Sequence, residues 1–231
     1  MDPVAEIAAL CAREGMWLHV DAAYGGALAL LPERRAEFAG VERADSFVVN
    51  PHKWLVTPMD CSVLWTRRPD VLRRAFSLTP EYLRTAEQEV ALSFSDYSFQ
   101  LGRRFRALKL WFVLRAFGLE GLRARLRHHC DLATTFGGWV TATPAWEALA
   151  PVTMSVVCFR FHPAGVDDEA ELERLNAAIL ERVNQAGRVF LSHTKLGGRY
   201  VLRVAIGNLR TTEEHLAEAW RLLREAAGEE V

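Results

Sequence analysis

The sequence predicts an α/β fold, a partial large-domain sheet with its helices, followed by a small C-terminal α+β domain. Three observations carry that prediction. MWLHV (16–20), SFVVN (46–50) and CSVLW (61–65) are apolar at consecutive positions, as in parallel strands covered on both faces. Helical periodicities alternate with these runs. Past residue 154 the order becomes strand, helix, strand, strand, helix, which marks a separate α+β unit. The division expected from this pattern is 1–108 and 109–231.

Asp2 and Pro3 form an N-cap followed by proline at the first helical position, and Val4, Ile7, Ala8 and Cys11 repeat at helical spacing, so 3–14 is a helix ending at Gly15. Three strands follow, the first running into Asp21. The stretch 79–102 has no sustained period, and a segment of that length inside a domain reads as a lid or a disordered piece. Helix returns from Arg103 to Phe117, with Phe105, Leu108, Trp111 and Phe112 on one face and Gly118 as its stop. A second helix, 119–137, sets Leu122, Leu126, His129, Ala133 and Phe136 in register. In the last third, 155–161, 188–193 and 199–206 are strands, the latter two paired through an LGG turn. Leu172, Leu175, Ile179 and Val183 mark a helix ended by Gly187. Thr211 and Glu214 open a final helix as a capping box, with Leu216, Trp220 and Leu223 on its inner face.

Among 231 residues half are apolar, and the net charge is −1 with no basic run, so a nucleic-acid surface is not expected. No 18-residue apolar stretch exists, so no membrane span is expected either. Cys11, Cys61, Cys130 and Cys158 stand singly and read as reduced, mostly buried thiols of a cytoplasmic protein. His128, His129 and Cys130 are adjacent on a helix, about 100° apart, and do not converge on one ion, so no metal is expected.

The chemistry concentrates in HVDAAYGG and NPHKW. Lys53 lies 32 residues after Asp21, room for a strand end, a crossover and the next strand end. In a parallel sheet both would open on one crevice at the strands' carboxyl ends. A lysine able to form an imine and a carboxylate able to hold a pyridinium are what pyridoxal 5'-phosphate (PLP) chemistry needs from a protein. A protonated amine is a poor nucleophile, so the site of Lys53 must desolvate it or surround it with charge. Taken alone, Lys53 could be a solvated surface group and Asp21 a helix N-cap.

HVDAAYGG, ADSFVVNPHKW, DCSVLW, PEYL and LGRRFRALKLWFVLR resemble the group II pyridoxal-dependent decarboxylases of the aromatic-L-amino-acid type, over essentially the whole chain. The resemblance implies fold type I, the PLP-dependent transferase fold. Residues 1–108 would then be the C-terminal part of the PLP-binding large domain, and 109–231 the small domain. It also implies that Lys53 bonds the cofactor, that Asp21 pairs with its ring nitrogen and that Ala23 packs on the ring. Asn50 and His52 would stand beside the phosphate and the substrate, with Trp54 in the core. Tyr82 matches a loop phenol that reprotonates the α-carbon after carbon dioxide leaves, and relatives with phenylalanine there tend to form aldehydes. Gly102 leans toward indolic substrates. Arg103 and Arg104 read either as partners of loop carboxylates or as surface charges. The family's full-length form is implied to be a homodimer acting on an amino acid, with a segment on the order of 200 residues or more ahead of the part matched here. Without that segment, weak PLP binding and little turnover are expected. Glutamate or histidine decarboxylation, a non-catalytic remnant or interaction fragment, and a cofactor-free imine enzyme such as an aldolase stand as alternatives.

Overall fold

The computed structural model describes residues 1–77 and 93–229. These fall into two compact units, Met1–Leu122 and Arg123–Val231. The boundary anticipated after residue 108 lies inside a helix, α4 (Arg106–Ala142).

The first unit opens with α1 (Val4–Glu14), which Gly15 ends in a left-handed cap. Ala8 of α1 packs on Leu18 and Ala44, with Ile7, Cys11 and Val20 around them. β1 (His19–Asp21) and β2 (Ser46–Val49) pair in parallel, His19 opposite Ser46 and Asp21 opposite Val48. The crossover between them is a chain of 3-10 turns, Gly25–Leu30, Pro32–Phe38 and Val41–Arg43, in place of an α-helix. Close approach explains Gly26: a Cβ there would stand 2.4 Å from the Val49 side chain.

β3 (Val63–Thr66) corrects one expectation. It pairs with β2 antiparallel, Val49 opposite Val63. After β2 the chain makes only the one-turn helix α2 (Pro51–Trp54) and folds back. His52 N–H meets Cys61 O at 3.4 Å, so β3 starts at the end where β2 stops. Apolar runs do not encode strand direction, and the covered faces they suggested are also absent: Leu64 and Trp65 are 48% and 54% exposed. α3 (Pro69–Phe76) follows. Of the aperiodic stretch, 93–102 is described and includes a 3-10 turn, Phe94–Tyr97, whose buried Asp96 pairs with Arg73 at 3.5 Å.

α4 is two helices joined at Gly118, whose φ of 64° and ψ of 174° break it where the sequence places the stop. The face expected to be buried on the first segment is open, with Phe105, Leu108, Trp111 and Phe112 all exposed. The second segment behaves as expected: Leu122, Leu126, His129, Ala133 and Phe136 are all buried.

The second unit is a four-stranded antiparallel sheet in the order β4 (Trp146–Ala148), β5 (Val156–Phe161), β7 (Arg199–Ala205), β6 (Ser192–Leu196). β4, three residues long, is too short to show alternation in sequence. β6 starts four residues later than expected because the Asn184 amide clamps Leu191, accepting its N–H at 2.8 Å and donating to its carbonyl at 3.1 Å. α5 (Glu169–Gln185) is capped by Asp168, which accepts from the Ala170 and Glu171 amides. α6 (Glu213–Ala227) has its capping box at Thr212 and His215, one residue beyond the expected pair. Thr211 is taken by a turn, its N–H donating to Asn208 O at 3.3 Å. Of the four thiols only Cys61 is buried; the others are half-buried, and none of the four is in a disulfide.

His129 is fully buried on α4. Burial pushes its imidazole down to about 4, and the charges of Arg125 and His128 act in the same direction. Unfolded, the ring titrates near 6.5. Between those values the unfolded chain holds a proton that the folded chain does not. The stability from neutral His129 is therefore complete above pH 6.5 and is lost as pH falls through the window toward 4. Denaturant midpoints measured by tryptophan fluorescence should drop between pH 7 and pH 5, and His129→Leu should flatten that slope. An unchanged slope in the variant would assign the pH dependence to other groups.

Candidate active site

The site begins at the carboxyl ends of β1 and β2. Because these strands are parallel neighbours with Asp21 opposite Val48, the chain delivers Asn50, His52 and Lys53 just past the position beside Asp21. Main-chain bonds tie the two ends together: Ala22 N–H donates to Val48 O at 3.1 Å, and Asn50 N–H to Ala23 O at 2.9 Å. Asp21 does not cap a helix. Its Oδ1 accepts the Ala23 N–H at 2.9 Å in an Asx-type turn, and the residue is exposed.

Lys53 rides on α2, its N–H donating to Asn50 O at 2.9 Å. Proline at the first helical position sets the turn. Trp54, as expected, is core; it is 1% exposed and stacks on Tyr24 with centroids 4.6 Å apart. The stack joins the end of HVDAAY to the residue beside Lys53. Beyond it Val56 takes φ 46°, a left-handed conformation rare for a β-branched residue. The surroundings hold it there: Thr57 N–H returns to Pro51 O at 3.3 Å.

His52 is held by the main chain of Cys61. Its Nδ1 lies 2.6 Å from Cys61 O and 3.0 Å from Cys61 N. One nitrogen cannot donate to the first and accept from the second at once. Which of the two bonds forms depends on the tautomer, and either one ties the ring to the Cys61 main chain. Burial pushes the neighbouring Cys61 thiol up, so it is no thiolate at neutral pH. Ser62 Oγ donates to Asn50 Oδ1 at 2.6 Å, which turns the Asn50 amide nitrogen away from Ser62. Residues 61–62 thus anchor both polar neighbours of Lys53. Arg104 forms an ion pair with Asp60, and Arg106 Nε donates to the same carboxylate at 2.9 Å. The Arg106 bond, with the Arg104 charge, holds Asp60 below the usual carboxylate range. Arg103 instead bonds Phe94 O at 3.0 Å and Ser98 Oγ at 2.9 Å.

The structure brings Asp21, Ala23, Asn50, His52 and Lys53 to one end of the sheet. Tyr82 lies outside the described residues. Sequence reasoning missed Tyr24, Cys61 and Ser62; their signal was adjacency, one in HVDAAYGG and the others in the DCS that follows NPHKW. It also expected either desolvation or neighbouring charge around Lys53, and within this chain Lys53 and Asp21 are both exposed. An amine on the short helix after β2 and a carboxylate at the end of β1 suit the aldehyde side and the ring nitrogen of a pyridine aldehyde.

Residues 1–162 match the pyridoxal-dependent decarboxylase conserved domain. The chain is 42% identical over 229 residues to a tryptophan decarboxylase of Camptotheca acuminata, covering 98% of this chain and 46% of that protein. Against tyrosine decarboxylase 4 of Petroselinum crispum it is 43% identical over 232 residues, with the same coverage. A crystal structure of Oryza sativa TDC with PLP and tryptamine superposes with a TM-score of 0.92 at 36% identity, covering 99% of this chain and 48% of that one. The chain thus spans about half the length of the curated relatives it matches.

Proposed function

Because the chain belongs to the pyridoxal-dependent decarboxylase family, we propose that it carries the lysine-bearing half of an active site that converts aromatic L-amino acids to amines. The observation behind this reading is the parallel register of β1 and β2, which sets Asp21 and Lys53 at one end of one sheet. The family's cofactor, when bound, supplies the electron sink for bond cleavage at the α-carbon.

The chain's own residues do the rest. Lys53 would supply the amine that holds the cofactor through its aldehyde carbon. Asp21, whose Oδ1 accepts the Ala23 N–H, would hold the ring nitrogen and favour its protonated form. Ala23 leaves room for a flat ring, and Asn50, aimed by Ser62, offers an amide N–H at the site's edge. His52, anchored through Nδ1 to the Cys61 main chain, offers its Nε2 to a hydrogen bond with the substrate. Tyr82 donates the proton to the α-carbon once carbon dioxide has left, so the product is an amine. Gly102 favours an indolic side chain. Residues 1–108 belong to the cofactor-binding domain and 109–231 to the small one, and the full-length protein acts as a cytoplasmic homodimer.

The test is a chimera in which this chain replaces the matching part of the Oryza sativa relative. It should release carbon dioxide and amine from tryptophan in equal amounts, and Tyr82→Phe should divert a major share of product to the aldehyde. A PLP-loaded chimera that releases no amine from any aromatic amino acid refutes the assignment. Equal amine yields with and without the hydroxyl remove Tyr82 from it.

A further inference from the structure

The strand ends remote from Lys53 converge on a cavity of their own. Leu18 precedes β1, Asp45 precedes β2, and Arg68 follows the antiparallel β3, so one end of the sheet gathers all three. With the end of α1 they line a cavity of about 410 Å³, a size within the range of small-molecule sites. Gly15, in its left-handed cap, turns the chain so that Met16 and Trp17 join Cys11 in the lining. The Trp17 indole is fixed at its edge, where the ring N–H donates to Ser46 Oγ at 2.9 Å. The Arg68 guanidinium lies over that ring, 5.7 Å from its centre. Arg43, also in the lining, donates to Ala5 O at 3.4 Å. Among the described residues neither arginine has a carboxylate partner. Asp45, the acid of the lining, accepts the Leu18 N–H at 2.9 Å.

We propose that this cavity binds a small organic carboxylate, its charge met by Arg43 and Arg68 and its apolar body laid against Cys11, Met16 and Trp17. The lining divides in kind as such a ligand does. Guanidinium groups match the planar carboxylate, and neither of these two is spent on an acid of the chain. Met16 and Trp17 are 49% and 39% exposed, so an apolar body removes surface from water that the fold leaves wet. Two cations against the single Asp45 carboxylate suit one negative charge. A phosphate dianion would bring its second charge toward Asp45 and leave the apolar wall uncovered. The bound carboxylate bridges the end of α1, the turn before β2 and the end of β3. It thereby braces the amino ends of the strand pair whose carboxyl ends carry Asp21 and Lys53. The site lies within the first unit and does not draw on the catalytic reading.

A nuclear magnetic resonance titration of the 15N-labelled 231-residue chain with phenylacetate tests it. The Trp17 indole N–H signal, identified by its absence in Trp17→Phe, should move saturably with a Kd of about 1 mM or tighter. 2-Phenylethanol keeps the ring without the charge and should bind at least about tenfold more weakly, the scale of a lost charged hydrogen bond. Inorganic phosphate at equal concentration should not displace phenylacetate. Arg43→Gln with Arg68→Gln should raise the Kd at least about tenfold. Both side chains are exposed, so the fold should survive, with an unchanged far-UV spectrum as the check. Arg13→Gln removes an exposed arginine of α1 that is outside the lining, and should leave the Kd unchanged. So should Lys53→Ala, because the lysine stands at the other end of the strands. A Trp17 signal that does not move up to about 20 mM overturns the proposal. Equal binding of the alcohol, displacement by phosphate, or an undiminished double variant does the same. Loss of binding in Lys53→Ala would move the ligand to the catalytic end and also overturn it. None of these results depends on whether the chimera releases amine.

Discussion

Lys53→Ala, placed in the chimera, should abolish covalent cofactor attachment and lower amine release by at least about 1000-fold, the scale on which loss of an essential nucleophile acts. In the parent protein, borohydride should fix a mass equal to reduced PLP on the peptide that contains Lys53, and the visible absorption band should bleach. In the variant neither should occur. Lys53→Arg is the informative companion: it keeps a cation at the end of α2 but offers no amine that can condense with an aldehyde. Equal loss in both variants assigns the effect to the nucleophile, whereas activity in the arginine variant would reduce Lys53 to a charge. Folding is not at stake, because Lys53 is exposed and its backbone bond to Asn50 does not use the side chain. Mass added at another lysine would move the site away from NPHKW altogether.

The contrast between what the sequence disclosed and what it hid follows from which interactions are local. Stops and the inner face of α4's second segment were legible: Gly118 breaks α4 where it should, and His129 and Phe136 are buried, whereas the caps were not, since Pro3 and not Asp2 caps α1. So was the pairing of β1 with β2, because the separation of Asp21 from Lys53 leaves room for a parallel crossover. The direction of β3 was not legible. β3 runs antiparallel because of the His52–Cys61 clamp, a contact nine residues apart that no periodicity reports. The slip of β6 has a similar cause, since Asn184 competes for Leu191 from a neighbouring helix. Burial on the first segment of α4 failed for a different reason. An apolar face states that cover is needed but not which polypeptide supplies it, and Phe105 to Phe112 remain open within this chain. In the site, residue types announced Asp21 and Lys53. The anchors Ser62 and Cys61 act through main-chain and hydroxyl bonds available to many sequences, so nothing in their identity marked them.

Phe136→Ala should destabilise the second unit by about 3–5 kcal/mol, the range for truncating a fully buried aromatic ring. The side chain has no exposed surface, and three rings surround it: Phe159 at 5.3 Å, Trp220 at 5.6 Å and Trp139 at 6.0 Å between centroids. The first two meet it edge-on, the geometry that aromatic pairs prefer and that adds to the area term. Trp146 closes the cluster against Trp220 at 5.0 Å, and its indole N–H donates to Glu229 at 3.0 Å. Trp146 is therefore pinned behind Trp220 by a bond of its own, which limits collapse of the cluster into the cavity and places the cost toward the upper end of the range. Thermal melts of the whole chain should show the transition of residues 123–231 falling by upward of about 10 °C, with the tryptophan emission of the native state shifted to the red. Phe136→Leu, which keeps most of the volume, should cost roughly a third as much. A loss below about 1 kcal/mol for the alanine variant would mean that this cluster is not the centre of the unit, and that the sheet order β4-β5-β7-β6 is held together elsewhere.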